Sequence, residues 1–219
     1  MTFSTPGTNP DLGAEPSRKT DAHSIMAKLR LETSAAHVSI ERSPRMRAIF
    51  EGDYSLDKYR ILLRRLLEFY IPFEAAVYEN LPKQLATRLD HRRKSNLLRA
   101  DLCAISDLVD VKHARVPAFH SDEERMGGLY VLEGATLGGK IIRKRLLDHF
   151  GTAVEPALSF YASYGKRAAA EWRAFGSLLG DLFDQATEAE RGRVVAGANA
   201  TFSALERWLD QDERGAALI

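Results

Sequence analysis

Residues 126–139 read MGGLYVLEGATLGG, and five of these fourteen residues are glycine. The surroundings are nonetheless helical. Ser121 and Glu124 have the spacing of a capping box. Downstream, Ile141, Ile142, Leu146 and Leu147 continue a helical apolar pattern, and Gly151 is a natural stop. Each glycine inside a helix costs roughly 1 kcal/mol relative to alanine, so local stability is not what these residues serve. Gly127, Gly134 and Gly138 are seven and four apart and share one face. Gly128 and Gly139 lie beside them, flanked by Leu129, Tyr130, Val131 and Leu137. Such a bare stripe of backbone serves either tight contact with another helix, which the spacing of Gly134 and Gly138 allows, or a flat ligand lying on it.

The rest of the chain points to one all-α domain. Its 219 residues are enough for a single large core, and 45% hydrophobic with 28% charged residues is ordinary globular composition. A formal net charge of +1 gives no bulk argument for nucleic acid or an anionic membrane as partner. No apolar run approaches the ~18 residues of a membrane span. Residues 1–22, rich in Thr, Pro, Gly and Asp, lack the apolar core of a signal peptide and read as a disordered leader. The single cysteine, Cys103, excludes an internal disulfide and fits a reducing cytoplasm. The folded domain is expected over 23–210, with a frayed tail at 211–219.

Apolar residues recur at three and four almost everywhere, and no strand stands out. A first helix is expected over 22–41, with Ile25, Leu29, Ala36 and Ile40 inward and Arg30, His37 and Glu41 along one border of that face. A short helix follows at 44–51. Ser55 can cap a long helix over 56–80, which Pro72 should kink. The next helix is expected over 86–107, burying Leu89, Leu97, Ala100, Ala104 and Leu108. Residues 110–120 read as a loop. A helix over 157–183 has break points at Gly165 and Gly176. Thr187 with Glu190 caps the last helix, which carries Val194, Val195, Ala198, Phe202, Leu205 and Trp208 on one side.

Among residues that do chemistry, His37 stands out. Glu41, one turn later, can hold a proton on one imidazole nitrogen and leave the other free for a metal. An exposed i, i+4 pair worth a few tenths of a kcal/mol is the plainer alternative. There is no Glu-x-x-His pair for a di-iron bundle and no Cys/His array with zinc spacing. One axial histidine with a bare glycine face suits instead a flat metallo-macrocycle between two helices. Cys103 reads as a small core residue. Arg92, Arg93 and Lys94 read as a solvated face, and Lys140, Arg143, Lys144 and Arg145 as a wet surface or a dock for an acidic partner.

Two segments resemble a known family. Leu29-Arg30-x-x-Thr33-x-x-x-His37-x-x-x-Glu41 is similar to the proximal helix of haem oxygenases, and residues 129–139 resemble their distal helix, with the bacterial members nearest. The resemblance spans about residues 24 to 210. It implies an all-α, single-domain haem-oxygenase-like bundle, with haem between a proximal helix and a kinked, glycine-rich distal helix. It implies His37 as axial iron ligand, Glu41 as its partner, and Gly134, Gly138 and Gly139 over the distal haem face. Arg30, Thr33 and Tyr130 would sit at the haem, with Lys166, Arg167 and Arg173 as further basic candidates for its propionates. An aspartate that animal members carry after the first distal glycine is replaced here by Ala135. The implied reaction consumes haem and O2, with electrons from a ferredoxin, flavodoxin or reductase, and yields biliverdin, by default the IX-alpha isomer, with carbon monoxide and ferrous iron. A bacteriophytochrome is the implied recipient. The competing readings are a haem carrier or sensor without catalysis, and a hydrolase resembling the thiaminase-II proteins, which would need Cys103 in the pocket.

Overall fold

The computed structural model describes residues 24–106 and 111–211, all helix and connecting coil, with no strand among them. The expected leader, the expected tail beyond Gln211, and Leu108 lie outside the described residues. In chain order the helices are α1 (Ile25–Glu32), α2 (Ser34–Glu41), α3 (Pro44–Ala48), α4 (Leu56–Tyr78), α5 (Lys83–Leu89), α6 (Ser95–Ile105), α7 (Asp122–Phe150), α8 (Ser159–Ala162), α9 (Ala168–Phe183) and α10 (Glu188–Asp210). None is long and apolar enough to cross a membrane.

Where a helix start depends on local chemistry, it lies where the sequence puts it. Ser55 Oγ accepts from the Lys58 amide, and Thr187 with Glu190 forms a complete capping box. Ser121 Oγ accepts from the Glu124 amide, but the Glu124 carboxylate reaches one residue further back, to the His120 amide at 2.7 Å. Gly151 ends α7 at φ 69°, a left-handed conformation that suits glycine.

The breaks lie elsewhere. The expected first helix is two, split at Thr33, whose Oγ1 donates to the Leu29 carbonyl at 2.7 Å. α4 runs through Pro72 without interruption. The ring leaves the Glu68 carbonyl without its helical donor, and the Ala114 amide of the following coil supplies one at 3.0 Å. The helix expected over 86–107 is also two, α5 and α6, joined by a 3-10 turn. α6 buries Leu98, Asp101 and Leu102 rather than Ala100 and Ala104, and Cys103 is exposed, not a core residue. Asp101 decides that rotation. Its carboxylate accepts from the Ser159 and Phe160 amides at 2.7 and 2.8 Å and caps α8 from a distance.

α7 is the axis of the molecule, and α10 packs along it most extensively. The contact is backbone to backbone at two glycines. A Cβ at Gly127 would sit 1.9 Å from the Val194 carbonyl oxygen, and one at Gly197 would sit 2.1 Å from that of Glu124. Arg193 adds an ion pair to Glu123 at 2.7 Å across the same seam. The core between α4, α7, α9 and α10 is aromatic and aliphatic, with Phe69, Phe73, Leu132, Phe175 and Val194 fully or nearly fully buried.

Candidate functional site

The glycines of α7 divide into two groups. Gly127 packs on α10, Gly128 faces Phe119, Thr201 and Phe73, and a Cβ at Gly139 would lie 2.8 Å from the Tyr161 carbonyl oxygen. These three let helices and coil approach closely. Gly138 has nothing within 4 Å of its Cβ direction, and Gly134 meets only the Trp172 indole, at 3.6 Å. Close helix packing therefore belongs to the first group and not to Gly134 and Gly138, the pair whose spacing allowed it. The open face continues with Leu137, 43% exposed, and Ile141, 65% exposed. With Gly134 and Gly138 they occupy successive turns of one side of α7. Leaving a leucine and an isoleucine in water beside bare backbone works against stability, and among the described residues nothing packs over this part of the face.

The segment carrying His37 is tied to α7 on either side of this face. At one end the Tyr130 hydroxyl of α7 lies beside the Thr33 side chain and within the field of Arg30. Burial pushes the Tyr130 phenol up, against the opposing pull of those two neighbours. At the other end Arg145 of α7 donates to the carbonyls of Ile49, Phe50 and Glu51, at 3.2–3.4 Å. From Tyr130 to Arg145 is fifteen residues, about 22 Å of helix. Residues 33–49 therefore touch α7 at two points that far apart. Gly134, Leu137, Gly138 and Ile141 lie between those points, and His37 is on the strap.

His37 is exposed at 58% of its side chain, with Nδ1 3.6 Å from Glu41 Oε1. Its ring stands edge-on to Phe202 of α10, centroids 6.0 Å apart. Phe202 follows Thr201, which lies against Gly128, so α10 seats the histidine and the start of the glycine segment through adjacent residues. Thr33 is buried. It meets the site through Tyr130. Arg30, Lys166 and Arg173 are exposed, and Arg167 is paired with Glu171 at 3.3 Å. Arg173 adjoins Trp172, whose ring lies 5.4 Å from that of Tyr130. The basic run after the glycines is largely engaged: Arg143 with Glu155, Lys144 with Asp148, and Arg145 with backbone.

Behind α7 lies a group that the sequence reading misassigned. Arg92 and Lys94, expected on a solvated face, are buried. Lys94 Nζ donates to Glu133 Oε1 at 2.8 Å, to the Tyr164 hydroxyl at 2.9 Å and to the Arg92 carbonyl at 3.1 Å. Arg92 pairs with Glu133 through Nη1 and with Glu171 through Nη2. Burial pulls the Lys94 ammonium down from its usual range, and Glu133 opposes that shift. The available signal was Glu133 itself, a carboxylate inside the apolar run YVLEGATLGG that has to be paired once buried.

The class the fold defines is an all-α bundle whose longest helix carries an open glycine stretch, with the histidine-bearing segment tied to that helix on either side of it. The comparisons with known proteins agree. The family pattern described as "Heme oxygenase" matches residues 23–211. A curated "Heme oxygenase" of Xanthomonas campestris pv. campestris (strain 8004) is 31% identical over 172 residues, covering 77% of this chain and 99% of that protein. The solved haem oxygenase of Leptospira interrogans superposes with a TM-score of 0.69 at 17% identity, covering 85% of this chain and 98% of that one, a likeness of fold. The chain belongs to the haem oxygenase family, a family of haem-degrading oxidoreductases.

Proposed function

We propose that this enzyme binds haem in the gap between the 33–49 strap and the open face of α7, with His37 as the axial ligand of its iron. The products are biliverdin, by default the IX-alpha isomer, carbon monoxide and ferrous iron. The observation that carries this reading is that the segment bearing the exposed His37 imidazole is tied to α7 beside Tyr130 and again at Arg145, while the turns of α7 between those two ties carry Gly134 and Gly138 in place of side chains.

The residues present fit the group. Glu41 Oε1 stands 3.6 Å from His37 Nδ1, on the side of the ring away from Nε2, the nitrogen that would serve as donor to a metal. Leu137 and Ile141 offer apolar surface to a porphyrin plane, and Gly138 offers backbone without bulk. Arg30, Tyr130 and Arg173, with Lys166 and Arg167 further out, supply cations and a hydroxyl for the propionates. Thr33 orients Tyr130. Gly139 serves the fit indirectly, by letting α7 settle against Tyr161. When bound, haem supplies the iron that activates O2 and is also the molecule oxidised. The chain contributes position and restraint. Gly134, Ala135 and Gly138 place no acid over the ring, so nothing on that face promotes the O–O cleavage that a peroxidase site favours. Electrons come from an external ferredoxin, flavodoxin or reductase, since the sequence carries no flavin or nicotinamide fingerprint. A bacteriophytochrome as biliverdin recipient and a cytoplasmic setting complete the proposal.

Aerobic turnover of the haem-loaded protein with an electron donor tests it. A green product with the biliverdin spectrum, together with one carbon monoxide per haem, is expected. A haem complex that stays red-brown through repeated reduction in oxygen would instead identify a carrier.

A further inference from the structure

Gly134 and Gly138 are one turn apart, yet only Gly134 has a neighbour. The Trp172 Cη2 and Cζ3 atoms lie 3.6 and 3.7 Å from its Cβ direction. The indole closes the open face of α7 at the Tyr130 end and leaves Leu137, Gly138 and Ile141 free. It is packed against Tyr130 and against Phe175, whose ring centroid is 6.3 Å away.

One guanidinium holds both partners of that contact. Arg92 Nη1 donates to the carboxylate of Glu133, the residue before Gly134, and Nη2 donates at 3.3 Å to the carboxylate and the carbonyl of Glu171, the residue before Trp172. A guanidinium is a planar, fixed fork, so the spacing between α7 and α9 at this point follows from its geometry. Lys94 and the Tyr164 hydroxyl, which donates to Glu133 at 3.0 Å, hold the same carboxylate from two further directions.

We infer that Trp172 is the end wall of the haem cleft and that Arg92 is the positioning residue that sets it, so that the two fix how the substrate is rotated about its iron and which edge is oxidised. The inference rests on the haem reading above. A porphyrin lying on this face over Leu137, Gly138 and Ile141 meets the indole edge at Gly134. A single methylene in an apolar pocket already discriminates by roughly tenfold or more, so losing an indole has a larger effect on orientation than on affinity.

The test compares the parent protein with Trp172→Ala, Trp172→Phe and Arg92→Lys. Each is titrated with hemin, its cyanide complex is examined by proton NMR for the number of haem orientations, and its biliverdin isomers are separated. The expected result is a parent-like histidine-ligated spectrum in every variant. The ratio of major to minor orientation should fall by roughly tenfold or more in Trp172→Ala. Trp172→Phe should lie nearer the parent, and Arg92→Lys, which keeps the charge but loses the fork, should follow Trp172→Ala. Should Trp172→Ala not fold, the Phe and Lys variants carry the comparison. Parent-like orientation and isomer ratios in the folded variants would overturn the inference and leave the haem reading standing. Failure of the parent itself to bind hemin would remove both.

Discussion

Two alanine substitutions in the same helix should shift stability in opposite directions. At Gly127 a Cβ would lie 1.9 Å from the Val194 carbonyl oxygen, whereas ordinary contact begins at 3.4 Å. α7 and α10 must therefore part locally by about 1.5 Å, the difference of those two distances. The obstacle is backbone on both sides, so the cost falls at the upper end of the overpacking range, about 3 kcal/mol. Better helix propensity offsets roughly 1 kcal/mol of that. Gly127→Ala should lose about 2 kcal/mol, a melting point lower by roughly 4–8 °C for a chain of this size. Gly138→Ala meets nothing within 4 Å and keeps the propensity gain, up to roughly 1 kcal/mol, or about 2–4 °C upward. Thermal unfolding of the haem-free proteins by circular dichroism measures both. Gly138→Leu should melt no lower than the parent yet lose hemin affinity and biliverdin yield. A stabilised Gly127→Ala or a destabilised Gly138→Ala would refute the division of the glycines into packing and open groups.

Further expectations concern residues away from the glycines. Lys94→Met leaves the buried Glu133 to Arg92 and Tyr164 alone, so unfolding free energy should fall by about 1–3 kcal/mol; no loss in denaturant titration contradicts the network. Cys103→Ser should change neither the melt nor turnover, because the thiol is exposed, and loss of activity would revive the cysteine-hydrolase alternative. The hydrogen bond from Arg193, reinforced by Ser121, holds the Glu123 carboxyl at about 2, below its usual 4.5. A depressed carboxylate pKa means stability present above pH 4.5 that fades as pH falls toward 2. Arg193→Met should flatten the stability–pH curve in that window, and an unchanged slope would remove Glu123 from the acid limb.

What could be read from the sequence was local. The caps at Ser55, Ser121 and Thr187 need only a hydroxyl and an amide a turn away, and the inward side of α10 is set by plain periodicity. The breaks were hidden because distant residues decide them. Glu74 receives the Lys94 and Ser95 amides at 2.6 and 3.1 Å and starts α6 where the sequence reads as continuous helix. α6 offers two equally apolar stripes, and the choice between them belongs to Asp101 and its contact with α8. At the site, His37 and the glycines were visible as types and spacings. Trp172, Phe202 and the Arg92–Glu133–Glu171 bridge were not, because each acts across more than thirty residues of chain. Arg92 and Lys94 looked like surface because charge is ordinarily solvated. Their burial is explained only by the carboxylates that fold brings to them.

The measurement closest to the central claim is a hemin titration of the parent and of His37→Ala, followed by absorbance with and without added imidazole. A one-to-one complex with a histidine-ligated spectrum is expected for the parent. His37→Ala should lose that spectrum at nearly unchanged fold stability, since the side chain is exposed, and added imidazole should restore it. An identical spectrum in the two proteins would contradict His37 as the axial ligand.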